Sequence, residues 1–310
     1  MAVNTVRAKI NGSWVTLTKN TSTGKYEATI AAPSITSYNV NAGHYYPVTV
    51  EATDLAGNKT TVNDSHSTLG SSLKLYVKEI TKPTITFTAP ASGTHLSSNT
   101  PSIKFQLRDE TNGSKVKITT LQIRVDGGAV LTNTSAGVSV NPVSDGFDIT
   151  YIPQSALSDG PHTVTVNVQD NDGNAATQAS RSFTVDTVPP ELSITSPSSG
   201  TTYQNTSTLD VVGVTNDITS STVAVKITVK GVDQGNISVD ANGNFSKTVT
   251  LAEGTNTIVV TATDLAGKVS TVSRTVVLDT IAPVVQSISI VPNPVNVGQS
   301  YIVTVEVTDS

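Results

Sequence analysis

One short pattern recurs three times along this chain and limits what it can fold into. Val50–Asn58 reads VEATDLAGN, Val166–Asn174 reads VNVQDNDGN and Val260–Lys268 reads VTATDLAGK. Each is an alternating strand, an Asp-x-x-Gly turn and a second strand rich in Ser, Thr and Val. That is the signature of a β-hairpin whose glycine supplies a positive φ. Self-similarity of this kind means repeated supersecondary units rather than one fold spread over the whole length. Two of the hairpins lead into near-identical joints, FTVDTVPPELSITSP at 183–197 and VVLDTIAPVVQSISI at 276–290. Proline there blocks ladder pairing and marks a boundary between domains.

Between the joints, turn signals such as Asp126-Gly127, Asp145-Gly146, Asp159-Gly160 and Asn242-Gly243 punctuate short segments, and none shows helical periodicity. Residues 188–281 divide into seven strands, at about 191–195, 207–214, 223–229, 232–239, 244–250, 256–263 and 268–278. Seven short alternating strands in one unit predict a two-sheet sandwich. Only 14% of the 310 residues are charged and 5% aromatic, leaving a text dominated by small polar and β-branched residues that suits strands and turns. A net charge of −5 argues against nucleic-acid backbones and anionic lipid as partners, since both call for clustered Lys and Arg. No apolar run approaches the roughly 18 residues that membrane insertion by a helix requires. With no cysteine, disulfides and thiolate metal sites are excluded. The opening MAVNTVRAKINGSW lacks the basic-then-apolar order of a secretory signal, which leads to the expectation of cytoplasmic assembly or a lost leader.

The Asp-x-Ala-Gly-Asn hairpins and Asp-Thr-x-x-Pro joints resemble tandem bacterial immunoglobulin-like repeats. From AVNTVRAKINGSW through YYPVTVEATDLAGN and onward, the whole chain is similar to immunoglobulin-like proteins encoded by tailed phages of gut bacteria. The resemblance implies a virion- or tail-associated protein without enzymatic activity, placed extracellularly with the particle. The expectation is an all-β chain of tandem immunoglobulin-like β-sandwiches in an extended rod, with an incomplete sandwich at each end.

The ends carry the most specific expectation. Ala8–Val15 aligns with Ile123–Val130, Gly24–Ile30 with Gly146–Ile152, and the hairpin 48–58 with 164–174. Residues 1–81 therefore read as strands C to G of a sandwich without A and B, ahead of complete domains at 82–187 and 188–281. Residues 282–310 run parallel to 82–110 and 189–217, the A and B strands of those two domains, and each stretch reaches an acidic residue, Asp309, Asp109 and Asp217. The tail alternates Ile288, Ile290, Tyr301, Val303, Val305 and Val307 with polar neighbours, so each strand has one apolar face that a lone hairpin cannot bury. The first segment has the complementary defect along Tyr26, Ala28, Ile30, Val48, Val50 and Ala52. Exposed edges recruit strands, and a heterologous contact of this kind propagates into rings or filaments. The expected partners are further copies of the chain and other virion or appendage proteins.

Site-like features are sparse. Asp170-Asn171-Asp172-Gly173-Asn174 begins like a calcium loop, but the twelfth position is Arg181 where an EF-hand needs a bidentate Glu. An Asx-stabilised turn is the simpler reading. Calcium shared between such turns and the joint residues Asp186 or Asp279 is the alternative, with Asp170, Asp172 and Asp186 as candidate ligands and no other cofactor expected. Asp109-Glu110 reads as a strand-end cap or solvated turn. His44, His66, His95 and His162 have no ligand spacing, and no nucleophile elbow or phosphate-cradling glycine loop is present. Trp14, Tyr45 and Tyr46 could form a platform for a bacterial surface glycan. Packing of the same aromatics is the simpler reading.

Overall fold

The computed structural model describes residues 2–309 and contains strands and two short 3-10 turns, with no α-helix among the described residues. It divides into two compact units, residues 1–94 with 99–183, and residues 95–98 with 184–310.

The first unit opens with β1 (Val3–Ile10), β2 (Ser13–Lys19), β3 (Tyr26–Glu27), β4 (Tyr46–Asp54), β5 (Lys59–Val62) and β6 (Lys74–Leu75). These form a single sheet in the order β3-β2-β1-β4-β5, with β6 also paired to β4. The β1–β2 turn is Asn11-Gly12, with φ of 47° and 82°. Positive φ at both central positions matches the right-handed strand twist, and few residues other than Gly and Asn adopt it cheaply. Register puts Val6 opposite Ala52 and Leu17, Ala8 opposite Val50 and Val15, and Ile10 opposite Val48. Every apolar residue named lies on one face, because side chains alternate along a strand. Among the described residues no second sheet covers that face, and only Ala8 and Tyr46 are buried hydrophobics in residues 2–81.

The same unit continues with β7 (Thr84–Ala89), and the chain then runs through β8 (His95–Leu96), β9 (Ile103–Arg108), β10 (Val116–Val125), β11 (Val138–Val143), β12 (Gly146–Tyr151), β13 (Gly160–Asp170) and β14 (Ala179–Val185). One sheet is β11-β12-β9-β7 and the other runs β10-β13-β14, a two-sheet sandwich. Ile103, Phe105, Leu107, Ile123, Ile149, Val164, Val166 and Phe183 fill the space between them and are essentially solvent-free. β8 pairs in parallel with the last residues of β14, within the second unit.

The second unit holds β15 (Glu191–Ser196), β16 (Thr201–Gln204), β17 (Thr208–Asn216), β18 (Ala224–Val229), β19 (Val232–Asp233), β20 (Asn244–Thr250), β21 (Gly254–Thr263) and β22 (Val269–Leu278). The sheets are β15-β17-β20 and β16-β22-β21-β18-β19, closed over Ile194, Val211, Ile227, Phe245, Ile258, Val260 and Val276. Two expectations change here. The strand expected over 232–239 is regular only at Val232-Asp233, and the first strand changes sheets, so that Thr201–Gln204 runs parallel to Thr275–Leu278. Periodicity cannot reveal a strand that leaves one sheet for the other part-way along.

The tail is β23 (Val284–Val291) and β24 (Ile302–Thr308), an antiparallel pair in which every residue is exposed. Its register sets Val285 opposite Val307, Ile288 opposite Val305 and Ile290 opposite Val303.

Candidate functional site: acidic joints and open sheet faces

The recurrent turn is built the same way three times and differently once. At Asp54, Oδ1 accepts from the backbone N–H of Ala56 (2.9 Å) and Asn58 (2.8 Å), while Oδ2 accepts from the Asn58 amide at 2.9 Å. Asp170 accepts from the Gly173 and Asn174 N–H groups at 2.7 and 2.8 Å, and from the Asn174 amide at 2.8 Å. Asp240 repeats the pattern with Asn242 and Asn244. These bonds favour the charged form and hold Asp54 and Asp240 below the usual carboxylate range, the Asn58 and Asn244 side chains contributing most. Asp264 keeps the backbone bond, from Lys268 N–H at 2.8 Å, but lysine stands where the other turns have asparagine. No amide reaches its second oxygen, and Asp264 Oδ2 is buried without a hydrogen-bond partner.

That oxygen belongs to a cluster. Carboxylate oxygens of Asp186, Asp217 and Asp264 lie within 4.8 Å of one another. Asp186 is 1% exposed and its Oδ2 is also unpartnered, while its Oδ1 accepts from Val188 N–H at 3.1 Å. Asp217 Oδ1 accepts from the N–H groups of Thr219 (2.8 Å) and Ser220 (2.6 Å).

A second cluster sits in the first unit, where Glu79, Asp109 and Glu110 approach within the same distance. Asp109 is 8% exposed, and neither of its oxygens nor Glu79 Oε2 has a hydrogen-bond partner. Burial raises the Asp109 carboxyl above its usual range, with Glu79 adding to it, and burial followed by Glu110 raises Glu79. Glu79 Oε1 accepts from Ser114 N–H. Of the pair expected in a strand-end cap or solvated turn, Asp109 is enclosed and Glu110 is exposed.

Of the expected metal ligands, Asp186 lies in a cluster and the other two do not. Asp170 is saturated by its own turn, and Asp172 accepts at Oδ2 from Thr36 Oγ1 (2.6 Å) and Glu79 N–H (3.0 Å), tying the first segment to the second domain. Spacing along the chain singled out Asp170 and Asp172, and missed Asp264. The replacement of Asn by Lys in DLAGK was the available signal.

The open faces are seen most directly by comparing equivalent positions. Ile103, Phe105 and Leu107 of β9 are fully buried, whereas Val303, Val305 and Val307, the corresponding residues of β24, are 52%, 47% and 53% exposed. Likewise Val164 and Val166 are fully buried, and their counterparts Val48 and Val50 only half-buried. Ile288, Ile290 and Tyr301 are also exposed, and the bulge before Ser287 adds Val285 to the same face. The acceptor differs from expectation in one element. The strand expected through Gly24–Ile30 is regular only at Tyr26-Glu27, which pairs with Lys19 and Thr18, and Ala28 and Ile30 lie outside any strand and are exposed. A strand whose proper neighbour is missing has no ladder to hold it extended.

Trp14, Tyr45 and Tyr46 are not assembled into one platform. Tyr46 is buried, with its hydroxyl donating to Ile35 O at 3.1 Å. Trp14 is exposed on the polar face under the Arg7 guanidinium (4.3 Å), and Arg7 also pairs with Glu51 at 2.7 Å. Tyr45 packs separately against Tyr76 and Lys74. The histidines are equally dispersed: His44 stacks on Tyr38, His95 meets Ser220, and His162 lies between Asp126 Oδ2 and Ser158 O, each at 2.7 Å.

Residues 79–187 match the bacterial Ig-like domain family and residues 190–280 match domain B of glucodextranase. No curated protein matches the chain in sequence. Among solved structures, a three-Ig structure of titin domains is 12% identical, with 88% of this chain and 87% of that one covered at a TM-score of 0.43. A tetra-tandem repeat from the extending region of a large adhesion protein is 18% identical over 98% of this chain and 79% of its own, at 0.33. Fibronectin(III)-like modules of Clostridium thermocellum CbhA are 16% identical over 63% of this chain and 94% of theirs, at 0.38. Residues 79–187 thus match a bacterial Ig-like domain, a second two-sheet sandwich is built by β15–β22, and the fold is one of tandem immunoglobulin-like β-sandwiches.

Proposed function

We propose that this chain is a non-enzymatic structural protein of a phage particle or related extracellular appendage, which associates head to tail by strand donation. The observation that carries the reading is the pair of matching open faces. One is a two-stranded hairpin with an uncovered apolar side at Val285, Ile288, Ile290, Val303, Val305 and Val307. The other is a single sheet with an uncovered apolar side at Val6, Ile10, Val15, Leu17, Val48, Val50 and Ala52. In the complete domain, β7 and β9 occupy the place the hairpin would take, and β9 lies beside β12. Residues 285–309 of one copy would complete residues 3–80 of the next, and the donated strand would extend Tyr26–Ile30 along its edge. Burial of apolar area drives the contact, and main-chain pairing sets its register.

Sedimentation velocity of the intact chain beside a variant lacking residues 284–310 tests this. The intact chain should associate as concentration rises while the truncated chain stays monomeric. A monomeric intact chain at high concentration, or equal association of both, refutes the reading.

A further inference from the structure

The cluster at Asp186, Asp217 and Asp264 is hard to account for as protein alone. Three carboxylates converge within 4.8 Å, two of them are more than nine-tenths buried, and each of those two aims an unpartnered oxygen inward. Buried like charges repel, and an oxygen among them that has no donor is costly unless a counter-ion meets it. The other three turns show how this chain satisfies such an oxygen when it needs to, with the amide of the fourth residue on. Here that residue is Lys268, and the oxygen is left for something else. A cluster of hard oxygens on loops and strand ends, able to bind mono- or bidentately, is the donor set of calcium rather than of zinc or copper.

We propose that Asp186, Asp217 and Asp264 bind a divalent cation, calcium being the best chemical fit, and that the same arrangement couples cation binding to head-to-tail association. The second part rests on the strand-donation reading and on a recurrence of register. Glu79 lies five residues before β7, whose first residue Thr84 pairs with Arg108, immediately before Asp109. Asp186 lies five residues before β15, whose first residue Glu191 pairs with Asn216, immediately before Asp217. Asp279 lies five residues before β23, whose first residue Val284 pairs with Thr308, immediately before Asp309. In the two earlier cases the two acids meet a third carboxylate of the sandwich their strands belong to. The tail carries the first two, Asp279 and Asp309, and completing a sandwich around its strands would bring them to the position that Asp186 and Asp217 hold in the third domain.

Calorimetric titration of the intact chain with calcium chloride, after chelator treatment and in an Asp109→Asn background that removes the other cluster, tests the site. Saturable binding with a Kd of about 1 mM or tighter is expected. Asp264→Asn and Lys268→Asn should each weaken it by at least about tenfold. The lysine substitution is the sharper of the two. It removes a positive charge, which by itself would favour a cation, yet supplies the amide that occupies Oδ2 in the other turns. Circular dichroism confirms that each variant is folded. No binding, or binding unchanged in both variants, overturns the site. Sedimentation of the intact chain in calcium and in chelator tests the coupling. Association present in calcium and lost in chelator, and weakened by Asp279→Asn, supports it. Equal association in both overturns the coupling and leaves strand donation standing, while a monomer in both overturns strand donation and the coupling together.

Discussion

Replacing Ile288 and Val305 together by serine removes two facing side chains from the centre of the proposed donor hairpin. They stand opposite each other across β23 and β24, and are 65% and 47% exposed. Fully burying such a side chain stabilises by about 1.5–3 kcal/mol, so the fraction still open to water is worth about 1–2 kcal/mol for Ile288 and about 1 kcal/mol for Val305. Their loss should weaken association by about 2–3 kcal/mol, or roughly 30- to 150-fold in the dissociation constant. Serine keeps the strand backbone, and neither residue contributes to a domain core, so the thermal midpoint of the monomer should hold. The assay is sedimentation velocity over a concentration series, with a melting curve for each protein. A matched substitution of Val291 and Ile302, which pair on the opposite face, is the control and should leave association nearly intact. If both double variants associate like the parent, or the control loses as much as the test, the proposed face is the wrong one.

Phe105→Ala should cost about 3–5 kcal/mol in urea denaturation of the second domain, because the ring is fully buried against Phe87 at a 5.6 Å centroid distance and its removal leaves a cavity. Burial opposes protonation of His162, but Asp126 and the Ser158 carbonyl outweigh it and raise its pKa. Both ring nitrogens face oxygen acceptors, an arrangement that only the imidazolium satisfies completely. A raised folded-state pKa gives stability that is fully present below the unfolded value and lost as pH rises through the folded one. The midpoint should therefore fall as pH rises from about 6.5, the unfolded value, through the raised folded one, and this slope should flatten in His162→Gln. Asp109 is also raised, chiefly by burial, so in chelator its carboxylate destabilises the fold increasingly as pH climbs above the unfolded value. Asp109→Asn should then be more stable than the parent at neutral pH and no more stable at acid pH, as read by paired denaturation curves. An equal gain at both would place the effect elsewhere.

Local chemistry was legible from the residues alone. The Asn11-Gly12 and Asp126-Gly127 turns, the Asp-x-x-Gly hairpins and the alternation in β9, β13 and β21 are set by nearest-neighbour sterics and by a period of two, both visible in the text. So was the apolar face of the tail. The strand at Thr201–Gln204 was not legible, because its partner Thr275–Leu278 lies more than seventy residues away and the crossing between sheets leaves no mark on periodicity. Nor was the failure of Ala28 and Ile30 to form a strand, since extension there depends on a neighbour rather than on propensity. The acidic clusters illustrate the same division. Sequence supplied Asp186 at a joint, Asp217 at a strand end and Asp264 in a turn, three local features with three local explanations. Only the closing of the sandwich brought them within 4.8 Å, and only burial turned an unremarked Lys268 into the reason one oxygen has no partner. Whether a carboxylate is a turn cap or a ligand depends on what surrounds it, and the surroundings come from residues far away in the chain.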